Sequence, residues 1–295
     1  MKHSCITVGT FDGVHLGHRK IITTTLKIAE ALDYVPLIVT LSYLLKHNNS
    51  NEERWSITTE DEKMSILREM GAKNIEVIEF SHEIEEMTAP QFIEFLKEQF
   101  QLKHLVAGYN HTFGKEREGD VKYLAGAIDT LDIAVTLIPP YRIGNNIVSS
   151  TLIRNLIVSG DVKSASQCLG RFYTISGIVD KGVGIARDLG FRTINLKIPE
   201  KKLIPANGVY AVLVYIRGKT FPGACYIGES QTLKLSRKSV EVHIIDFEGD
   251  IYGDIAMISF VDFLREDICF PSVDELKKQI SSDILRAKKL IAEFL

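Results

Sequence analysis

The sequence predicts an α/β chain of two domains, in which a parallel sheet flanked by helices is followed by a small antiparallel β-barrel and a C-terminal helix. The length of 295 residues corresponds to two domains of ordinary size, at about 150 residues each. Up to residue 159, short β-rich runs alternate with segments of helical periodicity, as in βα units. After Gly170 the β-rich runs follow one another directly. We therefore predict domains at 1–170 and 171–295.

The alternation of strands and helices predicts a parallel sheet in the first domain, because neighbouring parallel strands need a crossover segment between them. Capping boxes at Thr59 with Glu62 and at Thr88 with Gln91 begin two of its helices. Ligands of such sheets bind beyond the carboxyl ends of the strands, at the point where strand order reverses. The β-rich runs are 5–8, 37–41, 75–80, 104–107 and 133–138, and the helical segments lie around 21–29, 64–70 and 92–96.

The second domain has the spacing of a small barrel, with glycine, asparagine and proline turns between runs. Ser272 and Glu275 have the spacing of a third capping box, and apolar residues at helical spacing follow it, so the domain ends in a helix. The strand-like runs are 173–179, 193–196, 209–216, 223–227, 240–247 and 255–264.

Composition excludes several classes of protein. Thirty-five basic residues against 38 acidic ones give a net charge of −3, so we expect no nucleic-acid partner. The four cysteines lie far apart without a CxxC pair, which predicts reduced, buried thiols rather than a disulfide framework or zinc site. Apolar stretches stay well below the ~18 residues of a membrane span, and a strand-like run follows the N-terminus at once. We expect a cytoplasmic protein without a membrane partner.

The first strand runs into a glycine-rich loop, residues 10–18 reading TFDGVHLGH, that carries the strongest functional pattern of the chain. Gly9, Gly13 and Gly17 permit tight turns and close approach to a ligand. The following helix start offers unpaired N–H groups and partial positive charge, which suits a phosphate. His15 and His18 stand three residues apart, so their rings face the same spot, and they are too few for a metal site.

A second polar cluster, Ser149-Ser150-Thr151, follows the fifth β-rich run. Its hydroxyl groups suit a helix start, and Arg154 stands one turn further along. An arginine fork and hydroxyl groups together suit the β- and γ-phosphates of a nucleoside triphosphate.

These motifs resemble those of the HxGH nucleotidyltransferases, and the form TFDGVHLGH is similar to that of the prokaryotic FAD synthetases. Residues 149–154 match the SSTxIR motif of that family, and residues 108–117, GYNHTFGKER, resemble its flavin-side loop. Asn110 replaces the common aspartate there, and residues 42–47 replace a Pro-His-Pro stretch. The resemblance implies a Rossmann-like domain with three groups of site residues. They are His15 and His18 as catalytic residues; Gly9, Phe11, Asp12, Gly17, Ser149, Ser150, Thr151 and Arg154 around ATP; and Asn110, Phe113 and Arg117 around the flavin.

The second domain resembles the riboflavin kinase module that is fused to the adenylyltransferase in bacterial bifunctional enzymes. Residues 177–182, 187–195, 205–211 and 241–247 align with four of its motifs, the last reading EVHIIDF. The resemblance implies that Thr193 and Asn195 hold Mg²⁺ with ATP, and oxygen ligands are what this hard cation prefers. It also implies that Glu241 is the base for the 5′-hydroxyl group of riboflavin.

Three departures from the kinase motifs shape our expectation of activity. Arg192 replaces a proline beside Thr193, which adds a cation near the Mg²⁺ site and frees the turn. Tyr226 replaces an asparagine, Gln231 a proline and Ala186 a glycine. We therefore expect riboflavin phosphorylation to be weaker than AMP transfer to FMN.

The sequence thus predicts an FMN adenylyltransferase that uses ATP with Mg²⁺. Its expected substrate is FMN, with riboflavin as a further substrate of the C-terminal domain. The first alternative is a fully bifunctional enzyme that also phosphorylates riboflavin in its C-terminal domain. A second is a non-catalytic, flavin-binding C-terminal domain. A third is an HxGH transferase with another phosphorylated acceptor, such as a pantetheine or glycerol phosphate, which the strand-rich second domain disfavours. The sequence makes no prediction of the oligomeric state.

Overall fold

The computed structural model describes residues 2–42, 55–79, 81–180, 191–229 and 238–295. The sequence features at 43–47, 80, 182–190 and 231 lie outside these residues. The chain forms two compact units, one of residues 1–54 and 58–150, the other of residues 55–57 and 151–295. The functional boundary near Gly170 stays a prediction, since the compact units divide at residue 150.

The first unit is built on a parallel sheet, as predicted. Its strand order is β3-β2-β1-β4-β5, and every neighbouring pair is parallel. The strand order reverses between β1 and β4, so the loops that follow these two strands lie side by side at the carboxyl edge. The strands are β1 (Ser4–Gly9), β2 (Val35–Ser42), β3 (Ile75–Glu79), β4 (Leu102–Gly108) and β5 (Ala134–Ile138).

The helices of the first unit cover both faces of this sheet. Side chains of α4 and α5 form one buried cluster with β1, β2 and β4, while α1 packs on the other face. Both predicted capping boxes, at Thr59 and Thr88, are present. The elements are α1 (Leu16–Leu32), α2 (Glu60–Glu69), α3 (His82–Glu85), α4 (Ala89–Phe100), α5 (Val121–Leu131), and the hairpin strands β6 (Arg142–Ile143) and β7 (Asn146–Ile147).

The second unit is a closed antiparallel barrel of order β10-β11-β12-β9-β8-β13. Every predicted strand is confirmed, but the run 240–247 ends at Ile244, because Asp246 has a φ of 57° and turns the chain. The unit includes α6 (Ser150–Val158) after its first residue, α7 (Val162–Leu169), β8 (Tyr173–Asp180), β9 (Thr193–Lys197), β10 (Gly208–Ile216), β11 (Lys219–Glu229), β12 (Lys238–Ile244), β13 (Ile255–Arg265) and α8 (Val273–Ile291).

The C-terminal helix α8 closes one side of the barrel. The Ser272 hydroxyl group accepts a hydrogen bond from the Glu275 N–H, as one half of the predicted capping box. Ala287 and Ile291 are fully buried in a cluster with side chains of β10 and β13. Burial of this apolar stripe, rather than the intrinsic helix preference of the segment, holds the helix in place.

A short segment, residues 55–57, belongs to the second unit although it lies between two parts of the first in sequence. Ser56 and Lys202 form an isolated parallel β-bridge through their backbones. The Lys202 ammonium donates a hydrogen bond to the Ile57 carbonyl at 2.8 Å. This ammonium also lies 5.0 Å from the centre of the Tyr173 ring. Lys202 is 2% exposed, so protein contacts of this kind, rather than water, stabilise its charge.

The structure bears on two expectations from composition, one about membrane-spanning helices and one about the cysteines. Among the described residues, no helix is long and apolar enough to cross a membrane. Cys5, Cys168 and Cys225 are buried free thiols, but Cys269 is exposed, so the prediction of four buried cysteines is wrong for that residue. Cys269 lies in the segment between β13 and α8, outside the buried core.

Gly208 at the start of β10 provides a test of the barrel. Its φ is 144°, and an added Cβ would lie 2.6 Å from the Arg265 carbonyl oxygen, which is rigid backbone. We expect Gly208→Ala to destabilise the second unit by about 2–4 kcal/mol through strain and overpacking. The measurement is urea unfolding.

Gly253→Ala is the matched control, because Gly253 also has a positive φ, 85°, but meets open space. We expect it to cost only about 1 kcal/mol. Equal losses in the two variants would contradict the steric argument.

Candidate active site

The predicted site lies where β1 and β4 end side by side. The loop after β1 contains residues 10–15, and the loop after β4 begins at Tyr109. An added Cβ at Gly108 would lie 2.9 Å from Ile21 Cδ1, so α1 packs closely against the end of β4. This edge is where an α/β sheet of this order accepts a ligand.

His15 and His18 are brought together as predicted. Their rings stack with centroids 3.6 Å apart and planes 19° from parallel. His15 is the N-cap of α1 rather than a residue of its first turn, with extended φ and ψ of −72° and 172°. Its Nδ1 accepts a hydrogen bond from the backbone N–H of His18 at 3.2 Å.

This N-cap bond assigns the tautomer of His15. Because Nδ1 accepts a hydrogen bond from a backbone N–H, the ring proton of neutral His15 is on Nε2. Burial, and secondly the charge of His15, hold the pKa of His18 well below its ordinary value. The His18 ring is therefore neutral at neutral pH, and a neutral ring stacked on His15 avoids the repulsion that two imidazolium ions would have.

Gly17 makes the histidine pair possible. An added Cβ at that position would lie 3.0 Å from Cε1 and 3.1 Å from Nδ1 of His15. At Gly9 an added Cβ would lie 3.1 Å from the Phe11 ring. Both glycines thus act through the space that they leave for neighbouring rings.

The Phe11 side chain is buried, whereas a side chain that contacts a nucleotide has to be accessible. Its φ is 47°, its side chain is 2% exposed, and its ring meets the His18 ring edge-on at 5.3 Å. The ring belongs to a buried cluster with Ile22 and Leu67. Its predicted place at the ATP site can therefore come only from the main chain.

Asp12 is part of the loop's internal support. Its carboxylate accepts hydrogen bonds from the backbone N–H and the hydroxyl group of Thr58, at 3.1 and 3.3 Å. Thr58 Oγ1 in turn accepts from the Gly13 N–H at 3.0 Å, and the Ser150 hydroxyl group donates to the Asp12 carbonyl at 2.9 Å. Asp12 and Ser150 thereby hold the loop in shape, besides any contact with ATP.

The remaining predicted phosphate ligands lie at the start of α6. Ser149 and Ser150 are half-buried, and Thr151 is exposed. Arg154 lies one turn into the helix, where its Nε donates to the Trp55 carbonyl at 3.1 Å. Their roles toward ATP stay predictions.

The predicted flavin-side loop is anchored by aromatic packing. Phe113 is buried and meets Phe92 and Tyr123 at 5.6 and 6.0 Å. Asn110 is exposed at the turn after β4, and the Arg117 Nε donates to the Thr112 hydroxyl group at 3.0 Å. Phe113 thus holds the loop on the core, while Asn110 is open to a ligand.

In the second unit, register places the predicted kinase residues together. Asn195 of β9 and Tyr226 of β11 flank Glu241 of β12 on either side, so the three side chains share one face. Thr193 lies two residues before Asn195 and so shares this face. Burial raises the pKa of Glu241 above its ordinary value. Two neutral oxygen ligands fit Mg²⁺, which usually keeps waters and phosphate oxygens as its other ligands.

The structure modifies the expectation that Arg192 adds an effective positive charge near the predicted Mg²⁺ site. Its side chain is exposed, and its carbonyl lies 2.9 Å from Nδ1 of His243. His243 pairs with Thr193 in the barrel register. The turn that lacks the proline is therefore held by a side chain of the neighbouring strand, and water screens the guanidinium charge.

Sequence reasoning missed Thr58 and the anchoring function of His243. Thr58 immediately precedes the capping box of α2, a position that suits a loop contact but has no motif of its own. His243 stands inside the EVHIIDF motif, so the motif could have indicated it. Among the described residues no group of three or more His, Cys, Asp or Glu side chains could hold a metal ion.

Together the βα unit, the stacked HxGH histidines at a helix start and the kinase-like barrel define a chain of the nucleotidyltransferase class with an added barrel. The FAD synthetase family model matches residues 1–152, and the riboflavin kinase model matches residues 169–291. The chain belongs to the bifunctional riboflavin kinase/FMN adenylyltransferase family.

Relatives of that name match nearly the whole chain. The one of Bacillus subtilis (strain 168) is 31% identical over 285 residues, 95% of this chain and 90% of the relative. The one of Listeria monocytogenes is 32% identical over 283 residues, 94% and 89% of the two chains. A solved structure named as a macrolide-efflux protein from Streptococcus pneumoniae has a TM-score of 0.89 at 28% identity, covering 98% of this chain and 95% of that one. It supports the fold of nearly the whole chain.

His111 in the flavin-side loop makes folding stability depend on pH. Burial lowers its pKa to about 4, whereas an unfolded histidine has a pKa of about 6.5. The unfolded chain therefore binds the proton first, and stability is lost as the pH falls from about 6.5 toward 4. Between pH 7 and 5 we expect His111 to contribute a loss of about 1–2 kcal/mol, because the ring is partly exposed.

Urea unfolding of the wild type and of His111→Phe at pH 7 and pH 5 measures this loss. The phenylalanine variant keeps an aromatic ring beside Phe113 and has no titrating group there. We expect a smaller decrease of stability in the variant. Equal decreases would show that His111 is not held neutral by the fold.

Proposed function

We propose that the first unit transfers AMP from ATP to FMN, giving FAD and pyrophosphate. An oxygen of the FMN phosphate forms a bond to the α-phosphorus of ATP, and the bond from that phosphorus to the bridging oxygen of pyrophosphate breaks. The observation that carries this proposal is the stacked His15 and His18 pair at the N-terminus of α1.

The proposed role of the two rings follows from their N–H groups and their position at the helix start. Each ring offers one N–H group, and the helix start adds partial positive charge. These donors stabilise the negative charge that grows on the transferred phosphoryl group, without forming a covalent bond to it. Catalysis then rests on positioning and electrostatics.

Other predicted residues have proposed roles in the same reaction. We assign Ser149, Ser150 and Arg154 to the departing pyrophosphate, since hydroxyl groups and a guanidinium fork suit it. Asn110 faces the flavin as an exposed polar residue of its loop. Magnesium bound to the triphosphate would neutralise part of its charge.

We propose further that the second unit phosphorylates riboflavin, so that the chain has both activities. Glu241 is half-buried with a raised pKa, which suits a base that must take a hydroxyl proton near neutral pH. The hydroxyl oxygen then forms a bond to the γ-phosphorus of ATP, and ADP leaves. Asn195 lies beside Glu241 in register, as the proposed Mg²⁺ ligand. The exposed Arg192 side chain and its held carbonyl favour this proposal over a non-catalytic barrel.

The His18→Ala and His15→Ala variants test the AMP transfer. Each loses one proposed donor to the transition state, so we expect kcat for FAD formation to fall roughly 10²- to 10³-fold with little change in KM for FMN. Chromatographic quantification of FAD measures the rate. His3→Ala, at an exposed histidine outside the site, is the control and should keep normal turnover. A folded His18→Ala variant with near-normal kcat would refute the assigned role.

Riboflavin supplied with ATP and Mg²⁺ tests the second activity. We expect FMN and then FAD to form, and Glu241→Gln to reduce riboflavin consumption roughly 10²- to 10⁴-fold by removing the base. FAD formation from added FMN should stay within twofold. Glu229→Gln, at an exposed carboxylate of β11, is the matched control.

The same assay measures whether phosphorylation is slower than AMP transfer, as the substitution of proline by Arg192 predicts. A faster reaction in Arg192→Pro would support that expectation. A wild-type protein that forms FAD from FMN but leaves riboflavin unchanged would establish a non-catalytic barrel and overturn the second activity.

A further inference from the structure

Lys63 is a buried cation beside the loop that carries the histidines. It lies in the first turns of α2, and its side chain is 4% exposed. Its ammonium donates to the Thr10 carbonyl at 3.3 Å and forms an ion pair with Glu60 at 2.9 Å. A buried ammonium is costly to desolvate, so its placement calls for an explanation beyond general stability.

The ion pair does not account for this burial. The Glu60 side chain is 55% exposed and lies three residues before Lys63 on the same helix. Pairs of this kind form equally well with both ends in water and contribute little. The contact that requires a buried position is the one with the Thr10 carbonyl.

Thr10 is the first residue of the glycine-rich loop, and its carbonyl is held from two elements. Lys63 approaches it from α2, and the Thr40 hydroxyl group of β2 lies 3.4 Å away. Because the peptide unit is planar, a fixed Thr10 carbonyl also fixes the direction of the next N–H group, that of Phe11.

Phe11 transmits this orientation to the histidine pair. Its φ of 47° is strained for a residue with a side chain, so the conformation persists only where its surroundings impose it. Its ring meets the His18 ring edge-on at 5.3 Å. The chain of contacts thus runs from Lys63 through the 10–11 peptide to His18.

We propose that Lys63 is a positioning residue for AMP transfer, which holds the 10–11 peptide so that the Phe11 N–H group and the His18 ring face the phosphate. This inference rests on the proposed AMP transfer in the first unit. Lys63 acts through the loop and does not itself contact the reacting atoms. Its loss therefore affects the rate of the chemical step more than substrate affinity.

The test compares Lys63→Met with Glu60→Gln in the full-length chain. Methionine keeps an unbranched apolar stem and removes the ammonium, while Glu60→Gln removes the ion pair and leaves the contact with Thr10. We expect kcat for FAD formation to fall about 10- to 100-fold in Lys63→Met, with KM for ATP and FMN within threefold. Glu60→Gln should stay within twofold of the wild type in kcat.

A second readout needs no turnover. Phe11 lies edge-on to His18, so its ring current shifts the NMR signals of the His18 imidazole protons. We expect these signals to move toward unperturbed histidine values in Lys63→Met and to stay in place in Glu60→Gln. If the wild type made no FAD, AMP transfer would be refuted while this measurement still tested the positioning of His18.

Two results overturn the proposal. One is a folded Lys63→Met with kcat within threefold of the wild type and unmoved His18 signals. The other is a loss in Glu60→Gln as large as in Lys63→Met, which would assign the effect to the ion pair.

If Lys63→Met does not fold, Thr40→Val carries the test, since it removes the other donor near the Thr10 carbonyl at similar volume. Thr25→Val is its control, because the buried Thr25 hydroxyl group donates to Ile21 within α1. We expect kcat to fall about two- to fivefold in Thr40→Val only, in keeping with one weak hydrogen bond. Equal kcat values in the two variants would overturn the proposal.

Discussion

The hydrogen bond from the His18 backbone N–H to Nδ1 of His15 is the constraint on which the first unit's site depends. It begins α1, assigns the tautomer of His15 and draws the two rings into a stack. It also explains the glycine between them, because the capping ring occupies the space that a Cβ of Gly17 would need. One contact therefore links the helix start, the motif spacing and the chemistry of the loop.

Both units use side chains of neighbouring elements to hold the backbone of a loop that carries chemistry. In the first, Thr58 and Lys63 hold the loop after β1. In the second, His243 holds the carbonyl of Arg192, just before β9. A loop held in this way keeps its shape without a ligand, so little conformational entropy remains to be lost on binding.

Periodicity and turn residues were enough to predict the sheet, the barrel and most strand positions, because these features arise from local patterns of burial. The overlong prediction at 240–247 arose because the positive φ of Asp246 leaves no trace in hydropathy. Motif matching placed Phe11 at the nucleotide but could not tell a main-chain role from a side-chain role. Lys63 and Thr58 escaped prediction because their partners lie 53 and 46 residues away, and no local pattern encodes such contacts.

The contact between Lys202 and the Ile57 carbonyl spans 145 residues of sequence. During synthesis, residues 55–57 leave the ribosome long before the barrel segment with which they pack. The buried lysine therefore acquires this acceptor only in a late step with a large loop-closure entropy. Folding of the second unit thus depends on a segment made early in translation, which couples the order of synthesis to the completion of the barrel.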